Sequence, residues 1–290
     1  MLEHLNVSSI APQRAVVMGA TGFVGGAVAA RLVRDGVPVL ALGRRDVDLL
    51  APDAAERLAA LLRPGDAFVA VSARAPVKNA DMLVENLIMA RAMARALADR
   101  PVAHVVNVSS DAIYADSDAP LTEDSCASPG SLHGVMHLAR ELMFRAEVKA
   151  PLATVRPTLI YGPGDPHNGY GPNKFRRLAA KGEDIVLFGE GEECRDHVYI
   201  DDVAALIARV IFRRSTGSLN IATGEVHSFR DIAEQVARLS GKPFSIRRSP
   251  RVGPIPHNGY RPFDITACRA AFPNFEFTTL GHGLALSKNE

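Results

Sequence analysis

The sequence predicts an α/β fold, a Rossmann-type doubly wound parallel sheet with a smaller C-terminal substrate-binding lobe. Short β-branched runs alternate with longer Ala-, Leu- and Arg-rich segments up to about residue 160, which is typical of βαβ units stacked into a parallel sheet. A glycine-rich turn follows the first of these runs. After residue 160 the chain changes to Gly- and Pro-rich loops with shorter elements, as expected of a lobe that closes over the sheet.

The individual elements follow from the same patterns. Strands are predicted near Ala15–Met18, Val37–Leu42, Ala67–Val71, His104–Val108 and Leu152–Leu159. Helices are predicted between them, at roughly Gly25–Asp35, Asp53–Leu62, Met82–Arg100 and Leu132–Val148. Residues 1–163 are therefore expected to form the sheet domain, with a returning segment near 196–223, and residues 164–290 mainly the smaller lobe.

Composition excludes several classes of protein. A chain of 290 residues that is 47% hydrophobic and 22% charged can bury a sizeable core, and its net charge of +1 gives no broad basic field for nucleic acid. The three cysteines are widely separated, which predicts neither a disulfide framework nor a CxxC metal site. Neither a signal-peptide pattern nor an apolar run of about 20 residues is present. We expect a cytoplasmic protein with a small-molecule partner, no nucleic acid and no membrane.

The glycine-rich turn indicates a cofactor. It runs Gly19-Ala20-Thr21-Gly22-Phe23-Val24-Gly25-Gly26 between the first predicted strand and the first predicted helix. Glycines there permit positive backbone angles and let a pyrophosphate approach N–H groups at a helix N-terminus. The spacing is GxxGxxG, and an ordinary tight turn is the alternative interpretation. Its place directly after the first strand favours a dinucleotide site.

The end of the second predicted strand distinguishes between two dinucleotides. An NAD site usually has an acidic residue there for the ribose 2′-hydroxyl, whereas this chain has Arg44 and Arg45. Arginine suits a 2′-phosphate, so the sequence favours NADP, with NAD possible. The alternative is that both arginines are solvated surface residues.

Further motifs extend the pattern along the chain. They are Asp48-Leu49, Asn86 in VENLIMARAM, the segment VSSDAIY at 108–114, VRPT at 155–158 followed by YGPG, FGEG at 188–191, and RDHVYIDDV at 195–203. Together with the glycine turn, this set resembles an extended short-chain dehydrogenase/reductase of the NAD-dependent epimerase/dehydratase family, over nearly the whole length. The resemblance implies cofactor contacts from Gly19, Thr21, Gly22, Phe23, Val24, Gly25, Arg44, Arg45, Asp48, Leu49, Ser72, Ala73, Asn86, Val108, His137, Pro157 and Thr158.

The catalytic positions of that family are only partly matched. The family uses a Ser or Thr four residues before the Tyr of its VYG segment, and Ser110 stands there. It also uses a YxxxK pair on the next long helix. This chain has His133 and His137 at those two positions, with Glu141 where the family often has glutamate. Both the tyrosine and the lysine are therefore missing.

The two histidines suggest a substituted acid/base pair. His133, His137 and Glu141 are spaced i, i+4 and i+8, so they share one helical face. A histidine with a pKa near ~6.5 transfers protons at neutral pH without the neighbouring cation that a tyrosine needs. We expect His133 to be the acid/base and His137 to bind the nicotinamide ribose. The alternatives are a non-catalytic ligand-binding protein, a zinc pair, or proton transfer by Tyr114 or Asp111.

By the same resemblance, the substrate is a nucleotide-activated sugar. Arg195 and Asn173 match family residues near the diphosphate, and an arginine suits that geometry. For Arg195, a salt bridge to Asp196 or Asp201 is the alternative. The full set of expected substrate residues is Asp111, Tyr114, Asn173, Phe188, Arg195 and Arg261. The resemblance also implies a homodimer, and leaves open whether the net reaction is reduction, epimerisation or dehydration.

Overall fold

The structure of the chain is a computed structural model, which describes residues 2–288. Its strands are β1 (Glu3–His4), β2 (Arg14–Met18), β3 (Val39–Leu42), β4 (Asp66–Ala70), β5 (His104–Val108), β6 (Leu152–Pro157), β7 (Leu159–Tyr161), β8 (Ile185–Phe188), β9 (Cys194–Tyr199), β10 (Ser215–Ile221), β11 (Val226–Ser228), β12 (Ile246–Ser249) and β13 (Tyr260–Arg261). Its α-helices are α1 (Phe23–Arg34), α2 (Ala54–Leu61), α3 (Ala80–Asp99), α4 (Leu132–Glu147), α5 (Pro172–Lys181), α6 (Ile200–Phe212), α7 (Phe229–Leu239), α8 (Thr266–Ala271) and α9 (Leu280–Leu286). Within residues 2–288, no helix has the length and apolar character to cross a membrane.

One large sheet organises the described chain, with the strand order β1-β10-β6-β5-β4-β2-β3. Neighbouring strands run parallel, except that β1 pairs antiparallel with β10 at the edge. β2 lies between β3 and β4. The first crossover therefore runs to one side of β2, and the next one returns the chain to the other side. Such a switch point opens a crevice at the carboxyl ends of the strands, where ligands of this architecture bind. The predicted Rossmann-type sheet is confirmed.

Helices cover both faces of this sheet. On one face, α1 and α6 pack on the strands through side chains such as Leu32 and Ile207. On the other face, α2, α3 and α4 contribute residues such as Leu58, Met93 and Phe144. The central strands are therefore buried on both sides, which explains why they are near-continuous β-branched runs in the sequence.

A smaller lobe is built mainly from the chain beyond β6. Its β9 pairs with β7, β11 and β13, and β8 pairs separately with β12. The apolar residues Phe175, Phe229 and Leu280, from α5, α7 and α9, form its core. Between these parts the chain returns to the large sheet through α6 and β10. We propose that residues 1–163, with the returning segment near 196–223, form the sheet domain, and that residues 164–290 form mainly the smaller lobe.

The predicted strand Leu152–Leu159 is wrong as a single element. It is two strands, β6 and β7, which belong to different sheets. Between them, Thr158 donates its N–H to the Ile221 carbonyl at 3.1 Å and its hydroxyl to Asp196 at 3.0 Å. Pro157 has no N–H with which to continue the ladder. These bonds direct the chain out of the large sheet and into the smaller lobe.

Candidate functional site

In the turn between β2 and α1, two glycines are required by close backbone contacts and a third is not. Gly19 has a φ of +107°, and a Cβ there would lie 2.8 Å from the Ser72 nitrogen. A Cβ on Gly25 would lie 2.1 Å from the Gly19 carbonyl oxygen, so α1 packs against the turn only with glycine there. A Cβ on Gly22 would meet protein only at 3.4 Å. Because Gly22 caps α1 without a side chain, N–H groups of the first helical turn are left for an anion.

The other residues of the turn hold it in place through side-chain packing. Phe23 and Val24 pack against the core of the smaller lobe. Thr21 lies against the end of β3, where a Cβ on Gly43 would come within 2.6 Å of the threonine methyl group. The turn is thus held in place by packing on both lobes.

The two arginines after β3 differ in their surroundings. Arg44 donates to Asp48 at 3.2 Å in an exposed ion pair, whereas Arg45 is exposed and has no hydrogen bond or ion pair within the described chain. The Leu50 N–H holds the pKa of Asp48 below its usual range, and Arg44 lowers it further. Leu49 is buried in the core below. A polar surface therefore follows β3, with Arg44 paired to Asp48 and Arg45 exposed.

The loop after β4 is fixed by Asn86. The Asn86 amide oxygen accepts the Arg74 N–H at 2.9 Å, and its nitrogen donates to the Arg74 carbonyl at 3.0 Å and to the Met82 carbonyl at 2.7 Å. Asn86 is buried, so this amide positions the loop that carries Ser72 and Ala73. Its contacts suit a support for the cofactor loop.

The start of α4 is brought close to the end of β5 by a third required glycine. A Cβ on Gly134 would lie 2.1 Å from the Ala112 carbonyl oxygen, so the helix approaches this turn only without a side chain. The turn itself is capped by Ser110, whose hydroxyl accepts the Ala112 N–H at 3.1 Å and donates to Asp111 at 3.2 Å. The sequence-predicted Ser110, next to Val108 at the end of β5, therefore lies beside the first turn of α4.

The His133 and His137 rings contact each other, with centroids 4.7 Å apart and an interplanar angle of 87°. His137 is buried, and burial, Arg140 and His133 together hold its pKa well below 6.5. Burial also lowers the pKa of His133; the Asp111 carboxylate opposes this change, and Arg140 and His167 add to it. Both rings are therefore neutral at pH 7, and the unprotonated form of His133 can accept a proton.

Two residues near this pair had no signal in the sequence. Arg140 lies one helical turn after His137 on α4 and is buried. His167, on the loop after β7, hydrogen-bonds the Ala75 carbonyl at 2.9 Å and so joins the smaller lobe to the loop after β4. Its other ring nitrogen is 3.1 Å from Asp165. Arg140 shares α4 with the histidines, whereas only the tertiary fold brings His167 to them.

Tyr114 is buried in a hydrogen-bond network with Asn220 and Arg156. Its hydroxyl donates to Asn220 at 2.7 Å and accepts from Arg156 at 2.8 Å, and burial raises its pKa to about 12. Arg156 also makes two bonds, of 3.0 and 2.8 Å, to the buried carboxylate of Glu141. These contacts fasten α4 to β6. They do not favour Tyr114 as a proton carrier, and its expected substrate contact stays a prediction.

Pro157 and Thr158 lie at the carboxyl end of β6. Thr158 is tied to Asp196, which also accepts both N–H groups of Thr223 and Gly224. Burial raises the pKa of Asp196 to about 6, and these bonds oppose the rise. The motifs VRPT and RDHVYIDDV, distant in sequence, therefore meet at one buried carboxylate.

In the smaller lobe, Arg195 has a different partner from the two weighed from the sequence. It donates to Glu193 at 2.5 Å and to the Pro256 carbonyl at 2.6 Å. The same carboxylate lies 3.2 Å from Arg251, a residue with no sequence signal. Both arginines are thus held together by one glutamate. This gathering of two guanidinium groups can bind a diphosphate in place of the carboxylate.

Phe188 and Asn173, two further expected substrate residues, have different surroundings in the smaller lobe. Phe188 is exposed and lies against Tyr170, with ring centroids 4.7 Å apart. Asn173 is buried, accepts the Gly162 N–H at 3.2 Å and donates to Asp165 at 2.6 Å. Phe188 thus offers a ring for stacking, whereas Asn173 supports the loop before α5.

Arg261 links β13 to the turn after β5. It is buried and donates to the Asp111 carbonyl at 2.9 Å and to the Asp116 carboxylate at 3.0 Å. The substrate contact expected of Arg261 would require a change of these bonds. Across residues 2–288, no group of three or more His, Cys, Asp and Glu side chains is arranged to hold a metal ion.

Comparison with known proteins identifies the family. The model of the NAD dependent epimerase/dehydratase family matches residues 15–222, and the chain belongs to this family. UDP-glucose 4-epimerase of Mycolicibacterium smegmatis is 27% identical over 79% of this chain and 83% of that protein. dTDP-L-rhamnose 4-epimerase of Burkholderia thailandensis is 35% identical over 40% of this chain and 34% of its own length. The prediction that the chain is an enzyme of this family is confirmed.

Solved structures agree on the fold. UDP-glucose 4-epimerase of Thermotoga maritima, with UDP-glucose, has a TM-score of 0.84 at 22% identity, over 95% of this chain and 97% of that one. A GDP-L-fucose synthetase of Naegleria fowleri bound to NADP has a TM-score of 0.79 at 18% identity, over 99% and 94%. Structures of this fold therefore hold NAD or NADP and nucleotide sugars.

Proposed function

We propose that this protein is an NADP-dependent oxidoreductase that moves a hydride to or from a nucleotide-activated sugar, with His133 as the acid/base group. The observation that supports it most is the meeting of the Ser110 turn and the histidine pair at the carboxyl end of the sheet, beside the glycine-rich turn. Gly134 makes this approach possible, because any side chain there would collide with the Ala112 carbonyl. The relatives that match include epimerases, a dehydratase and reductases.

The crevice fits a dinucleotide. The protein around Gly22 would tolerate a Cβ there, so packing does not explain this glycine. Its missing side chain leaves space at the N-terminus of α1, which suits a pyrophosphate. Arg44 and Arg45 suit a ribose 2′-phosphate, which supports NADP, and Ser72, Ala73 and His137 are assigned to the cofactor on the side toward α4. When bound, the nicotinamide supplies hydride acceptance or donation at this position.

His133 and Ser110 supply the proton chemistry. In the oxidising direction the C–H bond of a carbinol breaks, with its electron pair leaving as hydride. The hydroxyl proton passes to neutral His133 as the C=O bond forms. Ser110 orients the reacting oxygen through its hydroxyl. His137 holds the ribose side of the cofactor, and the reverse transfer from protonated His133 serves reduction.

The substrate's diphosphate is assigned to Arg195 and Arg251. In this structure both arginines share Glu193, and a diphosphate that displaces the carboxylate gains two charge-assisted contacts. Phe188, exposed on the same lobe, stacks on the base. The sugar then extends toward Asp111 and Ser110.

A homodimer through α3 and α4 completes the proposal. Val84 on α3 and Leu132, Val135 and Leu142 on α4 are exposed apolar residues on these two adjacent helices. Exposed apolar groups on neighbouring helices are typical of helix-pair interfaces.

A second function is favoured by one observation. The tyrosine and lysine of the family are replaced, and His137 is buried and neutral, so the chain can bind NADP(H) as a non-catalytic sensor or scaffold. Sugar-nucleotide turnover by the purified protein separates the two functions, since a non-catalytic protein binds NADPH without turnover.

The test combines calorimetry and turnover. UDP, dTDP, GDP and CDP are titrated into the wild type, Arg195→Ala and the surface variant Arg247→Ala, whose exposed arginine pairs with Asp184. We expect at least one nucleotide to bind the wild type and Arg247→Ala, and to bind Arg195→Ala about tenfold or more weakly, with NADPH affinity unchanged. Sugars of that nucleotide are then assayed for turnover. If Arg195→Ala binds all four nucleotides like the wild type, the nucleotide-sugar assignment fails.

A further inference from the structure

Arg140 is a buried cation without a carboxylate partner. It is 2% exposed, and no carboxylate between residues 2 and 288 lies within ion-pair distance of it. Its neighbour Glu141 turns instead to Arg156. The Arg140 guanidinium donates to the Ser72 carbonyl at 3.1 Å and to the Val108 carbonyl, at the ends of β4 and β5. Because burying a charge without a counter-ion is costly, this arrangement is not explained by stability.

The third contact of this guanidinium is with the histidine pair. Its terminal nitrogen lies 3.4 Å from Nδ1 of His137, with geometry that allows a long hydrogen bond. An arginine has donors only, so Nδ1 must present its lone pair. In a neutral imidazole the proton then lies on Nε2. The contact therefore selects one of the two tautomers of His137.

We propose that Arg140 is a positioning residue of this site: it supplies, one helical turn further along α4, the cation that a lysine at position 137 would have supplied, and it fixes His137 with its proton on Nε2. The inference rests on the proposed acid/base role of His133. Arg140 lies seven residues after His133, on the same face of α4. The consequence is that the one N–H donor of the neutral His137 ring lies on Nε2, the nitrogen that does not face the guanidinium.

The charged surroundings of the pair are few. His137 is influenced by Arg140 and His133, and His133 by Asp111, Arg140 and His167. The Nε of Arg140 and the Nδ1 of His133 are buried and have no hydrogen-bond partner in the described chain. Burial lowers the pKa of both rings and Asp111 opposes this at His133 alone, so Arg140 is the cation whose removal both rings share. The protonated state of both rings then becomes easier to form.

The test uses the free protein and needs no substrate. Long-range ¹H–¹⁵N NMR spectra, assigned with His133→Gln and His137→Gln, report the tautomer and titration midpoint of each ring between pH 5 and 8. In the wild type we expect His137 to carry its proton on Nε2. In Arg140→Met both midpoints should rise, that of His137 by about 1 pH unit or more, because a nearby like charge is removed. Arg140→Lys should keep the midpoints low but lose the tautomer preference, since one ammonium cannot reach all three acceptors.

Arg145→Met is the matched control, since it removes one positive charge from an exposed position on the same helix. It should leave both midpoints and the tautomer unchanged. A wild-type His137 protonated on Nδ1 would overturn the proposal without any variant, and so decides the question even if Arg140→Met fails to fold. Equal midpoints in Arg140→Met and the wild type would also overturn it. If the tautomer is fixed as expected but no nucleotide sugar is turned over, the proposed function fails while the role of Arg140 stands.

Discussion

The glycine-rich turn before α1 and the first three turns of α4 lie at the same end of the sheet but are built differently. The turn works through missing side chains: Gly19 and Gly25 are required by close backbone contacts. The buried face of α4 works through polar side chains, among them His137, Arg140 and Glu141. A missing side chain is demanded by geometry that any member of the fold shares. A buried polar side chain depends on particular partners, so this region can change its chemistry while the turn cannot.

Two adjacent charged residues on α4 differ in the same way, one serving the scaffold and the other the site. Glu141 and Arg156 form two hydrogen bonds in a buried ion pair, which holds the helix on the sheet. Arg140, next in the chain, has carbonyl oxygens and a histidine instead of a carboxylate. One residue secures the scaffold, and the other faces the site.

The largest effect is expected at His133. His133→Phe keeps an aromatic ring but carries no proton, so turnover of a confirmed sugar nucleotide should fall by about a hundredfold or more, with NADPH affinity unchanged. Because the pKa of His133 lies below 6.5, wild-type kcat/KM in the oxidising direction, where neutral His133 accepts the proton, should be flat near pH 7 and fall as the pH drops through that lower value. Steady-state kinetics from pH 5 to 8 measure both.

The control is His282→Phe, which alters an exposed histidine on α9 in the smaller lobe. It should turn over at the wild-type rate. Wild-type turnover in His133→Phe would move proton transfer to Asp111 or to a water. That result would place the chemistry on the β5 side of the crevice rather than on α4.

Sequence patterns predicted the scaffold better than the site, for a physical reason. β-branched runs and glycine spacing reflect local backbone demands, so the strands from β2 to β5 and the turn at Gly19 could be placed within a few residues. The break at Thr158 could not be seen, because it depends on bonds to Asp196 and Ile221 far along the chain.

The site shows the same limit. The pair His133 and His137 could be found because both stand on one helix at a recognisable spacing. His167 and Arg251 reach the site only through the tertiary fold, and Arg140, although it shares the face of α4 with the histidines, is marked by no residue type that the motif requires. Even Arg195, which was predicted, pairs with Glu193 rather than with either aspartate weighed from the sequence. Motifs locate side chains, but their partners are set by packing.

The turn can be tested with neighbouring glycines of α1. Gly25→Ala places a Cβ 2.1 Å from the Gly19 carbonyl oxygen, which forces α1 away from the turn. We expect a loss of about 1–3 kcal/mol in the free energy of unfolding, as for overpacked cores, together with weaker NADPH binding. Chemical denaturation and fluorescence titration measure these two quantities.

Gly26→Ala is the matched control, since its Cβ would lie 3.3 Å from the Ala20 carbonyl oxygen. There the gain in helix propensity offsets a small adjustment, and stability should change by less than about 1 kcal/mol. If both variants behave alike, the requirement for glycine at position 25 is not steric, and the contrast between the turn and α4 loses its basis.

The smallest effect is expected at the two arginines after β3, the part of the cofactor region where side chains rather than backbone decide the outcome. The exposed pair of Arg44 with Asp48 is weak, whereas no carboxylate within residues 2–288 is paired with Arg45. NADPH should therefore bind more tightly than NADH, and Arg45→Ala should remove most of that preference, about tenfold, with a smaller loss in Arg44→Ala.

Arg57→Ala, which alters a neighbouring exposed arginine bonded to the Asp46 carbonyl, should leave the preference intact. Fluorescence titrations of NADPH and NADH into the wild type and the three arginine variants measure this preference. All titrations are made at one ionic strength, because salt screens exposed charged contacts. Equal affinity of the wild type for NADPH and NADH would refute the assignment of NADP, and a larger loss in Arg44→Ala than in Arg45→Ala would show that the phosphate displaces Asp48 from its partner.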